Sequence, residues 1–373
     1  MLQGIERARS WWRQRADTNH ARNLRRMWGG PRWCADIVEN DGSDFIARGW
    51  ALAPNGDHSR LEFRINDQPF DRVTYPVHRE DVGRRLPFIP DAGESGFECR
   101  ISGGRLKESP QSDFCLALRD RAAAEGSNSY LNFYFPGDGT DSIPLPDSLR
   151  MQRVHGNDKA ATFRSVGFSV FKTMENVLQA KFGRGYSGFP RVLDWGCGSG
   201  RVTRYFARHP NLRVTGIDID PDNIGWCREQ MPFARFQTTP LHPPTGLPAA
   251  SFDLLIGISI FTHLKEREHF LWLEELRRLA APGAVLLMSI HGGIAACFSH
   301  LAPNTLRQWR KAGLFDSGAC ELPGVKLDEA DYYRSTYHTP DYVRKHWSKY
   351  FKIVDILPGH IGVQQDLVVM RRR

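Results

Sequence analysis

Residues 192–201 read Val-Leu-Asp-Trp-Gly-Cys-Gly-Ser-Gly-Arg, and no other stretch of the 373 residues limits the fold so strongly. The apolar run ending at Asp194 predicts a buried strand, and residues 202–208 predict a helix. Between them, Gly196, Gly198 and Gly200 let the backbone turn tightly and approach a ligand with no Cβ in the way. A strand, a glycine turn and a helix in this order place a ligand against a helix N-terminus at the carboxyl ends of parallel strands. The next strand, 214–218, ends in Asp218, 22 positions after Gly196. A carboxylate there can accept hydrogen bonds from both hydroxyls of a ribose, which points to an adenosine-type ligand. The spacing is Gly-x-Gly-x-Gly, whereas dinucleotide sites use Gly-x-Gly-x-x-Gly, and Arg201 stands where that pattern wants a small residue. Asp194 at the loop entrance repels a pyrophosphate but suits an ammonium group.

The periodicity on either side of this loop sets the fold class. Phe163, Val166, Val170, Phe171, Met174, Val177 and Leu178 form a helical stripe running to Gly183. After it, buried-strand runs at 191–194, 214–218, 252–259 and 284–290 alternate with helical stretches such as 270–279. This order predicts an α/β fold, a doubly wound and mainly parallel seven-stranded sheet. Residues 351–357 and 365–370, joined by a short link at 358–362, predict an antiparallel terminal hairpin. Residues 36–140 differ in kind. Strict alternation at 61–65 and 97–101, strand-like runs at 45–52, 114–118 and 130–135, and turns at Pro54-Asn55-Gly56, Asn66-Asp67 and Gly103-Gly104 predict a smaller all-β sandwich domain. The Pro-, Asp- and Ser-rich stretch 136–149 reads as the linker. The expected organisation is a basic segment 1–35, a β-sandwich accessory domain 36–140 and an α/β domain 150–373.

The formal charge of +8 is confined to the ends: residues 1–33 carry eight Arg against Glu6 and Asp17, and Arg371 to Arg373 close the chain. A near-neutral body argues against nucleic acid as a partner. The N-terminal segment, with Trp11, Trp12, Leu24, Met27 and Trp28, reads either as a short amphipathic helix packed on its own body or as a peripheral anchor at a membrane or other anionic surface. No apolar run approaches the roughly 20 residues of a membrane-spanning helix. The charged N-terminus lacks a secretory apolar stretch. Seven Cys without a CxxC pair suit neither a disulfide framework nor a zinc site, so a cytoplasmic location without a metal is expected.

Through VLDWGCGSGR, VTGIDID, FDLLIGISIFTHL and the closing hairpin, residues 150–373 resemble class I S-adenosylmethionine-dependent methyltransferases. They look most like the bacterial members found among surface-polysaccharide genes, which resemble this chain also in FTHL, in HG after the fifth strand and in QQDLVV. The resemblance implies S-adenosyl-L-methionine as cofactor. It assigns Asp194, Gly196, Cys197, Gly198 and Gly200 to the methionine half, Asp218 to the ribose, Ile219 to the adenine face, and Ser259 to the end of strand four at the cofactor. The family's polar adenine-edge residue carries over to Thr239, although Gln237-Thr238-Thr239 before Pro243-Pro244 departs from the usual Asn or Asp.

Methyl transfer from a sulfonium needs a nucleophile aligned with the methyl–sulfur bond, and a hydroxyl nucleophile benefits from a neighbouring base. His263 and His291, which follow strands four and five, are the expected catalytic bases, each with capping or loop bonding as its plainer role. His338, Tyr332, Tyr333 and Gln365 are expected around the acceptor. The expected activity is O-methylation of a hydroxyl on a sugar or glycan intermediate. Methylation of a lipid-like or other small metabolite on oxygen or nitrogen stays open, as does a glycan-binding scaffold that holds the cofactor without reacting. Acceptor motifs of nucleic-acid methyltransferases are missing, because Ser259-Ile260-Phe261-Thr262 stands in their place.

Overall fold

The computed structural model describes residues 18–28, 33–40, 43–107, 113–123, 131–137, 142–319, 329 and 331–373. Trp11, Trp12 and Cys320 lie outside the described residues. The chain divides into two compact units.

The first unit draws on 1–109, 116–131 and 293–307. Its strands are β1 (Trp33–Asn40), β2 (Asp44–Ala51), β3 (Leu61–Ile65), β4 (Gln68–Pro69), β5 (Arg72–Val77), β6 (Gly96–Ser102) and β7 (Asp113–Asp120). One antiparallel sheet is ordered β1-β2-β6-β5, and in the other β3 lies between β4 and β7. The alternation read from sequence is present in β3, where Leu61, Phe63 and Ile65 are buried and Glu62 and Arg64 are not. Phe63 of one sheet meets Phe97 of the other with ring centroids 4.6 Å apart, and Trp33 adds a third ring. These two sheets are consistent with a separate β domain. Asn66 and Asp67 both take positive φ, 46° and 60°, which makes the tight two-residue turn between β3 and β4. Gly103 and Gly104 open a short helix, Gly103–Lys107, where a turn was expected. The helix Thr18–Trp28 belongs to this unit and turns Leu24 and Trp28 inward, Trp28 lying edge-on to Phe88 and Phe298. Among the described residues no helix is long and apolar enough to cross a membrane.

The second unit holds β8 (Phe133–Pro136), β9 (Arg191–Trp195), β10 (Arg213–Asp218), β11 (Arg235–Thr238), β12 (Phe252–Gly257), β13 (Ala280–His291), β14 (Leu314–Ala319), β15 (Arg334–His338), β16 (Lys352–Ile361) and β17 (Gln365–Arg371). β11-β10-β9-β12-β13 run parallel, β17 pairs antiparallel with β13, and β16 with β17. The expected parallel sheet and closing hairpin are therefore present. Among the described residues the expected seven strands become nine, because 314–319 and 334–338, the latter read from sequence as an acceptor loop, are strands. The cause is the length of β13, whose 12 residues outrun its neighbours. Its last residue, His291, pairs with Tyr337 of β15, and β14 completes this added pair.

Helices cover both faces of the sheet. The helix Ala160–Phe182 lays the predicted stripe on one face beside Tyr205 and Phe206, while Trp272, Leu273, Leu276 and Leu279 of Glu266–Leu279 bury the other. Order reverses between β9 and β12: the chain builds outward from β9 in one direction through β10 and in the other through β12. Ligands bind at such a switch point. The segment after the glycine loop is a 3-10 turn, Thr203–Arg208, where an α-helix was expected. Its Tyr205 N–H donates to the Val202 carbonyl, the tighter i to i+3 bond.

Helix Ala160–Phe182 reaches this loop at Gly167, where a Cβ would lie 2.3 Å from the Arg201 carbonyl oxygen. Gly225, inside the helix Pro221–Gln230, has open space around the same position. Gly167→Ala should therefore destabilise the chain by about 1–3 kcal/mol. Gly225→Ala should instead stabilise it by about 0.5–1 kcal/mol. Denaturant midpoints of the two variants check both signs.

Candidate functional site

The glycine loop is held open by backbone bonds to the neighbouring strand. Gly196 and Cys197 N–H groups both donate to the Ile217 carbonyl, at 2.7 and 3.1 Å. Gly198 N–H donates to Asp218 Oδ2 at 2.8 Å, and Asp220 N–H to Asp218 Oδ1 at 2.9 Å. Gly196, Gly198 and Gly200 take φ of 72°, 53° and 77°, a region L side chains rarely adopt. At Gly198 the space is also filled, since a Cβ would sit 2.7 Å from Val154 of the helix Ser148–His155. That helix crosses the loop, and its Arg153 pairs with Asp220 at 2.6 Å with both side chains almost fully buried.

Two adjoining cavities share Gly196, Asp218, Ile219, Ser259, Ile260 and Tyr333. The first continues along Asp194, Cys197, Gly198, Arg201 and Asn223. The second continues along Thr239, His263, Trp272 and Tyr332. All nine residues expected at the cofactor thus lie in or beside one cleft, with Gly200 behind the loop against Met231. Burial pushes Asp194 and Asp218 up to about 6, against the hydrogen bonds that Thr203 gives Asp194 and that Gly198 and Asp220 give Asp218. Thr239 is buried with its hydroxyl oxygen unpartnered, a group that suits a polar ligand edge.

The acceptor-side residues divide. Tyr333 stands where the cavities meet and stacks on His263, centroids 4.1 Å apart. His263 Nδ1 donates to the Arg334 carbonyl at 2.8 Å, so the neutral ring keeps its lone pair on Nε2. Burial pushes this histidine down to about 4. His291, 6.0 Å away ring to ring, lines neither cavity. Burial drives it down to about 3, the Thr336 carbonyl takes its N–H, and its Nδ1 is buried without a partner, so it offers the cleft no lone pair. His338 is fully buried against His269 and Trp347, and neither ring nitrogen has a partner; it is a core residue away from the cleft. Tyr332 lines the second cavity, but its hydroxyl donates to the Leu241 carbonyl and accepts from Trp272 Nε1. Gln365 lies behind the wall: its Oε1 accepts from Ser289 Oγ at 2.6 Å and its Nε2 donates to Ser259 Oγ at 2.8 Å. Ser289 Oγ accepts in turn from the Ser259 N–H, which fixes Ser259 at a φ of 63°. Sequence reasoning missed Ser289, hidden inside an apolar strand run, and Arg153, Val154, His155 and Arg201. Arg201 alone carried a signal, as a charged residue where a small one was expected.

A doubly wound sheet with a glycine loop, an acid ending the next strand and a cleft at the switch point forms an α/β ligand-binding fold. Residues 192–283 match the family described as methyltransferase domain. The chain is 26% identical over 204 residues to ajmaline N-methyltransferase of Rauvolfia serpentina, covering 51% of this chain and 67% of that one. It is 32% identical over 104 residues to 2-methyl-6-phytyl-1,4-hydroquinone methyltransferase of Synechocystis sp., covering 26% and 31%. It is 35% identical over 100 residues to trans-aconitate 2-methyltransferase of Rhizobium meliloti, covering 26% and 37%. The chain thus spans two thirds of the first relative and about a third of the other two. It carries a class I S-adenosylmethionine-dependent methyltransferase domain, and S-adenosylmethionine is the cofactor of that domain.

Two pH effects follow. A ligand that needs Asp194 and Asp218 ionised binds more weakly as pH falls below about 6. Calorimetric affinity for S-adenosylmethionine should drop across pH 7 to 5, and Asp218→Asn should bind weakly with a flatter profile. Four histidines act on folding. His263, His269, His291 and His338 all titrate lower in the folded chain than the ordinary 6.5 because burial disfavours their charged forms. Their stabilising contribution is complete above that value and is lost as pH falls from about 6.5 towards 4. Tm should decline over this window, and less steeply in His338→Phe.

Proposed function

We propose that the chain methylates a hydroxyl of a sugar or glycan intermediate, with His263 as the base. The observation that carries this reading is the His263 ring, locked by the Arg334 carbonyl into the tautomer whose lone pair is on Nε2, at a cavity contiguous with the glycine loop. The bound donor supplies an electrophilic methyl on a sulfonium. Ile260 and Tyr333, shared by both cavities, border the place where an acceptor meets it and narrow the space left for water. As the acceptor oxygen bonds to the methyl carbon, the methyl–sulfur bond breaks with its electron pair going to sulfur, leaving a neutral thioether, and the acceptor's proton passes to His263 Nε2. Burial keeps His263 neutral and ready to accept at physiological pH, though a weak base. The likeness of VLDWGCGSGR, FTHL and QQDLVV to polysaccharide-associated methyltransferases supports a sugar, and the separate β unit suits a polymeric acceptor.

A nitrogen acceptor is the second reading. It is favoured by the low basicity of His263, since a neutral amine already carries its nucleophilic lone pair, and by the likeness to ajmaline N-methyltransferase. Purified chain with labelled donor, offered nucleotide sugars, oligosaccharides, lipid extracts and small amines, separates the two. For a hydroxyl acceptor, His263→Ala should lower kcat by roughly a hundredfold with donor affinity unchanged, while His291→Ala leaves kcat within a few-fold. Unaltered kcat in His263→Ala overturns the base assignment, and transfer to amines alone overturns the hydroxyl acceptor.

A further inference from the structure

His242 has no role in the reading above, yet both of its ring nitrogens meet carboxylates. Nδ1 lies 2.7 Å from Glu268 Oε2, and Nε2 lies 2.6 Å from Glu329 Oε1. A neutral imidazole has one N–H and one lone pair, so it would set a lone pair against one of the two anions. An imidazolium donates to both. Glu268, in the first turn of the helix Glu266–Leu279, has a side chain only 6% exposed, and among the described residues His242 is the cation that meets it. A buried carboxylate needs such a partner.

The three side chains come from three parts of the second unit: His242 from the loop after β11, Glu268 from the helix, and Glu329 from the segment before β15. That loop and that segment both wall the second cavity, the one through Thr239 and the other through Tyr332 and Tyr333. The Tyr332 hydroxyl donates to the Leu241 carbonyl next to His242, and the Tyr332 N–H donates to the Glu329 carbonyl. Tyr333, one residue on, stacks on His263. The titratable groups facing the His242 ring are Glu268, Glu329 and Tyr332, whose ring lies edge-on at 5.4 Å. Residues 238–246, its own loop, bring no other charge.

We infer that His242 is a positioning residue: as an imidazolium it ties the segment 329–333 to the helix Glu266–Leu279 and so fixes Tyr332 and Tyr333 as a wall of the second cavity. The clamp acts on this wall whatever acceptor enters. The bond to Glu329, and then that to Glu268, raise His242 above its ordinary 6.5. The clamp is therefore complete below that value and is lost as pH rises through the raised one. Neighbouring groups do not titrate in this window. Burial sends His263 and His269 the opposite way, to about 4, and pushes Tyr332 up to about 12.

Hydrogen exchange on the full chain tests this, read at Tyr332, Arg334 and Thr336, whose N–H groups donate to the Glu329, His263 and Thr262 carbonyls. Protection at these amides, corrected for the intrinsic pH dependence of exchange, should fall about three- to tenfold in wild type between about pH 6 and about pH 9, with β12 unchanged. That range lies between an exposed ion pair and a charged hydrogen bond to a buried group. His242→Gln should show the lower protection at both pH values. His242→Lys, which keeps its charge throughout, should hold the higher protection at both. Wild-type protection that does not fall overturns the inference whether or not any variant folds. A fall of the same size in His242→Gln of unchanged Tm also overturns it, since another group is then titrating.

Discussion

Three ionisable side chains, Asp194, Asp218 and Arg201, gather in the cleft beyond the carboxyl ends of β9 and β10, Asp194 buried and the other two half-buried, and the second unit is arranged around holding them there. Desolvation disfavours the charged form of each, raising both acids and lowering the arginine. Such groups persist where fixed dipoles meet them. Gly198 and Asp220 N–H groups do this for Asp218, and the Thr203 hydroxyl does it for Asp194. The glycine loop is therefore as much an electrostatic device as a geometric one. Its left-handed residues let N–H groups turn onto an acid that a strand alone could not reach.

The sheet makes that arrangement rigid. β9 is flanked by β10 and β12, with Leu193 and Trp195 buried in one core and Val192 in the other, so the loop leaves a strand that has no freedom to tilt. Across the cleft, Ser259 is held in a conformation unfavourable for a residue with a side chain. The Ser289 hydroxyl and the Gln365 amide, on two further strands, secure it through a hydrogen-bonded ring. This wall of the cleft is thus held by β12, β13 and β17 together.

The acceptor side follows a different rule. Its residues come from the loop after β12 and from the segment leading into β15, and residues 334–336 thread along that loop through bonds to the His263 and Thr262 carbonyls. Of the histidines nearby, His263 has both a cavity and an orienting carbonyl, while His291 lines neither cavity and His338 is fully buried. Which imidazole lines the cleft is a matter of tertiary placement that spacing along the chain does not encode.

The glycine spacing, the acid ending β10 and the 3.6-residue stripe of 163–178 were legible because each is local: a few adjacent residues already contain the conformational requirement. The same holds for the period-two strands of 61–65 and 97–101 and for the terminal hairpin. Strands β14 and β15 were not legible, since their pairing depends on an edge presented by residues dozens of positions away. Nor were the burial of His338, the turn of Gln365 towards Ser259 and Ser289, or the meeting of Arg201 with His155. By itself the amino-acid order determined that this chain makes a nucleoside-type cleft at the end of a parallel sheet, because backbone geometry and hydrophobic periodicity act over short distances. Tertiary structure alone decided which charged and imidazole groups face that cleft, because desolvation and hydrogen-bond partners are set by whatever strands and helices arrive from elsewhere in the chain.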